Sequence, residues 1–159
     1  LDIGHATRKR LNWAKRSGIR YVPVADRLVE EDGRLGRKTS AGWYDHAAEG
    51  PIPSEHVTAR VRAAAAEAGV TRRVFSAEQI VDRLVTAIVA EGHAILQDGI
   101  AATASDIDLV EIHGYGFPRW RGGPMFYGRT IGGDALRARI AEFAAADPVT
   151  WAGVTVLAD

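Results

Sequence analysis

Apolar residues return at helical spacing through most of this chain. Ile80, Leu84 and Ile88 recur every four residues with Val81 and Val85 beside them, and this stripe predicts a long amphipathic helix over 76–97 with Leu84 central on its buried face. Ser76 and Gln79 stand at capping-box spacing, Phe75 is placed to staple onto Ile80, and Gly99 is placed to end the helix. A second helix is expected from Ser105 as N-cap to about His113, its acidic residues near the positive end of the dipole and Gly114 stopping it. Ser54 can cap an alanine-rich helix over 55–68 that closes at Gly69. Leu136, Ile140 and Phe143 mark another helix that ends before Asp147-Pro148. Upstream, 3 to about 15 and 25 to about 32 also read as helical. Strand signals are confined to 18–24 and 154–157, which are short and do not alternate over a useful length. The expected architecture is all-α, a helical bundle with no Rossmann sheet.

Composition changes once, at "DHAAEGPIPSEH", where Gly50-Pro51 and Pro53-Ser54 punctuate a polar stretch. The expected organisation is therefore the end of one helical domain over 1–47, a linker over 48–54 and a second helical domain over 55–159. With 159 residues the chain can bury a core without disulfides or metal. Twenty Lys and Arg balance twenty Asp and Glu, so no global field draws the protein to nucleic acid or an anionic membrane. Any anion site must be local. No apolar run approaches the roughly 18 residues of a membrane helix. The absence of cysteine excludes thiolate chemistry and fits a reducing compartment, so a cytoplasmic location is expected. A first residue of Leu rather than Met points to a fragment of something longer.

Candidate chemistry gathers in "HGYGFPRWRGGPMFYG", residues 113–128. Gly114 and Gly116 permit tight backbone, Pro118 holds Phe117 extended, and Pro124 suits the first turn of a helix over 125–130. Two readings follow. In one, the segment is a corner packed by its aromatic rings; in the other, Arg119 and Arg121 face a phosphate or carboxylate. The packing reading is preferred. A dinucleotide fingerprint needs a strand before its first glycine, and here a helix is expected instead. "DGRLGRKTSAGWYDH" ends in Lys38-Thr39 like a phosphate loop but has Asp32 and Arg37 where that motif needs glycine, leaving Lys38 as a weak electrostatic candidate. The five histidines show no helical metal-ligand spacing, and no nucleophile elbow or triad can be nominated.

Together, "SDIDLVEIHGYGFPRWRGGPMFYG", "GRLGRKTSAGWYDH" and "LDIGHATRKR" closely resemble the C-terminal part of 3-hydroxyacyl-CoA dehydrogenases, in the long form found in multifunctional fatty acid β-oxidation enzymes. The resemblance covers nearly the whole chain. It implies a fold like the 6-phosphogluconate dehydrogenase C-terminal domain and a parent oxidoreductase that uses NAD on acyl-CoA substrates. In that family an upstream Rossmann domain holds the cofactor and the catalytic His and Glu, and an assisting Asn belongs to the first part of the first helical domain. All of these lie upstream of Leu1, and a hydratase domain is a further candidate neighbour. No catalytic, cofactor or metal residue is therefore assigned here, and the fragment alone is expected to be inactive. Lys38, Arg119 and Arg121 are the candidate contacts for coenzyme A phosphates. The chain departs from the family's usual pattern at Ser40, Ala90 and Glu111, where Gly, Asn and an apolar residue are usual. A non-catalytic helical docking module is the alternative.

Overall fold

Among residues 1–151 and 153–156, which the computed structural model describes, the helical period is realised in eight α-helices. They fall into two compact units, Leu1–Val74 and Phe75–Asp159. The all-α expectation holds, and the only sheet among the described residues is a two-stranded ribbon. No helix of the described residues is long and apolar enough to cross a membrane.

The first unit contains α1 (Asp2–Arg10), α2 (Val24–Glu30), the strands β1 (Tyr44–Ala47) and β2 (Gly50–Pro53), and α3 (Glu55–Glu67). In α1, Asp2 lies in the first turn and Arg8, Lys9 and Arg10 in the last, each sign where the helix dipole favours it. The expected continuation of α1 to residue 15 is interrupted at Asn12, which adopts φ 52°, and resumes only as a 3-10 turn, Trp13–Lys15. Val24, Leu28 and Val57 form the core, with Val61 and Ala64 of α3 packed against it. Arg60 of α3 clamps Asp32, its Nε 2.9 Å from Oδ2, and Arg27 reaches Glu67 at 2.7 Å.

These contacts tie α3 to the first unit, whereas the sequence reading began a second domain at 55. The stretch read as a linker over 48–54 is largely ribbon. β1 and β2 pair antiparallel from Tyr44↔Pro53 to Ala47↔Gly50 around a two-residue loop. Proline is tolerated at the edge of so narrow a ribbon, and Pro51 and Pro53 are why the strand signal was hidden. Neither 18–24 nor 154–156 forms a strand, and Leu157 lies outside the described residues.

The second unit is built from α4 (Ala77–Gln97), α5 (Ala104–Val110), α6 (Pro124–Ile131), α7 (Gly133–Ala146) and α8 (Pro148–Trp151). The Ser76–Gln79 capping box forms as expected, with Gln79 N donating to Ser76 Oγ at 3.2 Å and Ser76 N to Gln79 Oε1 at 2.9 Å. Thr103, not Ser105, caps α5: Asp106 N donates to Thr103 Oγ1 at 3.2 Å and Thr103 N returns to Asp106 Oδ2 at 2.9 Å. Val89, Ala90, Leu136, Ile140, Trp151 and Val156 form the core.

The buried face of α4 is not the expected one. Thr86, Val89, Ala90 and Gly92 are buried, while Leu84 is 61% exposed and Ile80, Val81 and Ile88 also face outward. Small residues explain the choice, because they let α6 approach. A Cβ on Gly92 would stand 2.3 Å from Met125 Sδ, and one on Gly128 would stand 2.7 Å from Val89 Cγ1. α4 is thus apolar on two sides, and close packing selected the side with the smaller residues.

Candidate functional site

The glycine- and ring-rich segment is organised by a buried carboxylate on α5. Asp108 Oδ1 accepts from Met125 N at 2.7 Å, and Oδ2 accepts from Phe126 N at 3.1 Å, so a side chain remote in sequence caps the start of α6. Pro124 occupies the first turn, where no N–H is required. Between the two helices the chain makes a single π-helical turn, Glu111–Tyr115, closed by Phe117 N donating to Glu111 O at 2.9 Å with Gly116 left-handed. A 3-10 turn, Arg119–Arg121, then delivers Gly122 and Gly123.

Gly123 is the tightest point. At φ 98° and ψ 164° its backbone lies in a region that only glycine adopts readily, and a Cβ there would come within 2.4 Å of Asp108. At Gly122, φ is 76° and a Cβ would meet Phe126 Cδ1 at 2.6 Å. The paired glycines therefore make room for the cap.

The three candidate phosphate contacts are placed as follows. Arg121 lies over two rings, its guanidinium carbon 4.6 Å from the Trp120 centroid and 4.4 Å from that of Tyr127, and its Nη1 is buried without a hydrogen-bond partner. Arg119 is exposed on the same turn. Lys38 belongs to the first unit, where its ammonium pairs with Asp2. Nearby Ser40 adopts φ 52°, a conformation that glycine would take more easily.

The most concentrated charge chemistry lies in the first unit and was not legible in the sequence, since its members are scattered over residues 5–26. The buried Asp26 carboxylate accepts from Arg8 Nε at 2.9 Å and Tyr21 Oη at 2.6 Å, and His5 Nδ1 stands 3.2 Å away. Burial pushes this carboxyl up, but hydrogen bonds from Arg8, Tyr21 and His5 outweigh it and hold the pKa at about 2. Burial, then the bond to Asp26, pushes the Tyr21 phenol up to about 12.

The cluster fastens α1 to α2, and its linkage to stability has a definite sign. A depressed carboxyl stabilises fully above its unfolded pKa near 3.8 and loses that contribution as pH falls toward 2. The expected loss is roughly 2 kcal/mol. Urea midpoints taken between pH 5 and pH 2 should fall over that window, and Asp26→Asn should flatten the fall. An equal fall in the variant would mean that another group carries it.

Comparison with known proteins places this geometry in context. No protein-family model matches the sequence. The chain is 35% identical over 154 residues to the peroxisomal bifunctional enzyme of Danio rerio, covering 88% of this chain and 21% of that one. It is 34% identical over 164 residues to the peroxisomal bifunctional enzyme of Homo sapiens, covering 93% of this chain and 22% of that one. A glyoxysomal fatty acid beta-oxidation multifunctional protein of Brassica napus is 28% identical over 151 residues, covering 92% of this chain and 20% of that one. The chain spans about a fifth of the length of these relatives. Their names place them in peroxisomes and glyoxysomes, which runs against the cytoplasmic location expected from cysteine content. A cysteine-free sequence fits any reducing compartment and cannot choose among them. At 34–35% identity over about nine-tenths of its length, the chain belongs with the C-terminal 3-hydroxyacyl-CoA dehydrogenase region of the multifunctional fatty acid β-oxidation enzymes.

Proposed function

We propose that the chain is the structural C-terminal region of an NAD-dependent L-3-hydroxyacyl-CoA dehydrogenase, in which it packs against other domains and contributes no group to hydride transfer. The observation that carries this reading is α4, which is apolar on a second, outward side through Ile80, Leu84 and Ile88. A helix of that kind is normally covered on both sides. A Rossmann domain holding NAD, and a hydratase domain, are the partners that the reading requires. The acyl-CoA substrate belongs to the whole enzyme.

The segment 113–128 supports a packing role, because Gly122, Gly123 and Pro124 are spent on seating the start of α6 on the Asp108 carboxylate of α5. Arg121 is committed to its two rings and Lys38 to Asp2, so Arg119 is the freest of the three candidate coenzyme A contacts.

Two measurements test the proposal. Calorimetry on this chain is expected to give no heat with NAD, and the chain is expected not to oxidise 3-hydroxyacyl-CoA. Stoichiometric micromolar NAD binding would overturn it. Arg119→Ala in the full multifunctional enzyme should leave stability and Michaelis constant nearly unchanged if the turn only packs. A raised Michaelis constant with unchanged stability would instead give the arginine to the coenzyme A phosphates.

A further inference from the structure

Away from the Asp108 cap, the second unit carries an apolar groove of about 600 Å³ between the C-terminal end of α4, α5 and the π turn. Ile95, Ile100, Val110 and Tyr115 line it over the buried Ile107. Its lining is open to solvent: Ile100 is 75% exposed, Val110 56% and Tyr115 78%. Exposed apolar surface concentrated in one concave place marks an interaction site more often than scattered apolar residues do.

The charged side chains that line the groove share one sign. Asp106 and Glu111 are the charged residues lining it, and neither is ion-paired among the described residues. From residue 84 to residue 118 the chain holds Glu91, Asp98, Asp106, Asp108 and Glu111 and no lysine or arginine. The C-terminal end of α4, with its negative dipole end and Asp98 at the cap, adds to the same field. The rest of the molecule balances this, since the formal net charge is zero.

We infer that this groove docks an amphipathic polypeptide segment that places apolar side chains on Ile100 and Val110 and lysine or arginine opposite Asp106 and Glu111. The apolar floor supplies affinity, and the acidic rim selects and orients the segment. A second copy of this chain is a poor occupant. Two-fold pairing would set groove on groove and acidic rim on acidic rim. An anionic lipid surface is repelled by the same carboxylates. The inference does not depend on the dehydrogenase reading, because it uses only the shape and charge of the second unit.

Fluorescence anisotropy on the purified chain tests it, with a labelled synthetic helix of leucine and lysine as probe and the same peptide carrying glutamate in place of lysine as control. The lysine peptide should bind saturably and weaken with added salt, and the glutamate peptide should not bind at the same concentrations. Ile100→Ser, Val110→Ser and Glu111→Lys should each weaken the lysine peptide by about tenfold or more. Ile100 and Val110 are exposed, so their replacement leaves the core intact, and circular dichroism melts verify this. Equal binding of both peptides, or undiminished binding in Ile100→Ser and Glu111→Lys, overturns the inference. So does a dimer in sedimentation that Ile100→Ser dissociates, since the groove would then belong to a second copy.

Discussion

Gly123→Ala is expected to destabilise the second unit by about 3 kcal/mol, the sum of a strained backbone and a damaged helix cap. The backbone at φ 98° and ψ 164° resists any L side chain, and the new methyl would stand 2.4 Å from the Asp108 carboxyl. That carboxyl cannot retreat without releasing Met125 N and Phe126 N, the donors at the start of α6. The substitution therefore forces a choice between straining the turn and uncapping the helix. Asp108→Ala removes the cap alone, and the double variant should cost less than the two singles added, because both act on one contact. Gly122→Val should follow the same direction, since its side chain would be driven into Phe126. Urea denaturation of the four proteins checks this, and an unshifted midpoint for Gly123→Ala would show that the turn relaxes without involving Asp108.

What the sequence disclosed, and what it withheld, follows the range over which each signal acts. The Ser76–Gln79 box, the Pro124 start of α6 and the arrest of α4 by Gly99 are local, and all three are present. At α5 the competing residue won. Thr103 offered the box with Asp106, and Ser105 was left inside the helix. The β1–β2 ribbon was hidden because prolines at 51 and 53 signal linker more strongly than strand. Asp108 and Asp26 could not be assigned roles, because their partners lie 17 or 18 residues away in Met125 and Arg8. Alone, each reads as an ordinary helical aspartate. The candidate site fared in the same way. The glycines of 113–128 announce a tight turn, but the rings do not pack it as expected: Tyr115 and Trp120 are 78% exposed and Phe126 48%. The turn closes instead on the remote Asp108 carboxylate, which the sequence does not disclose.

Leu136→Ala and Leu84→Ala should differ sharply, and the difference tests how α4 is turned. Leu136 is 2% exposed and packs in the core with Val89 and Ile140, so its truncation leaves a cavity and should cost about 2–5 kcal/mol. Leu84 has the stronger helical pattern around it but is 61% exposed, so its truncation should stay within about 0.5 kcal/mol. Thermal or urea melts of the two variants of this chain decide the matter. A Leu84→Ala protein as destabilised as Leu136→Ala would mean that α4 buries its Ile80–Leu84–Ile88 side. The same pair made in the full multifunctional enzyme asks a different question. If another domain covers the outward stripe there, Leu84→Ala becomes costly in the long protein while staying near neutral in this chain. If Leu84→Ala is neutral in both, the stripe stays in water in the assembled enzyme, and the packing role proposed for this region loses its main support.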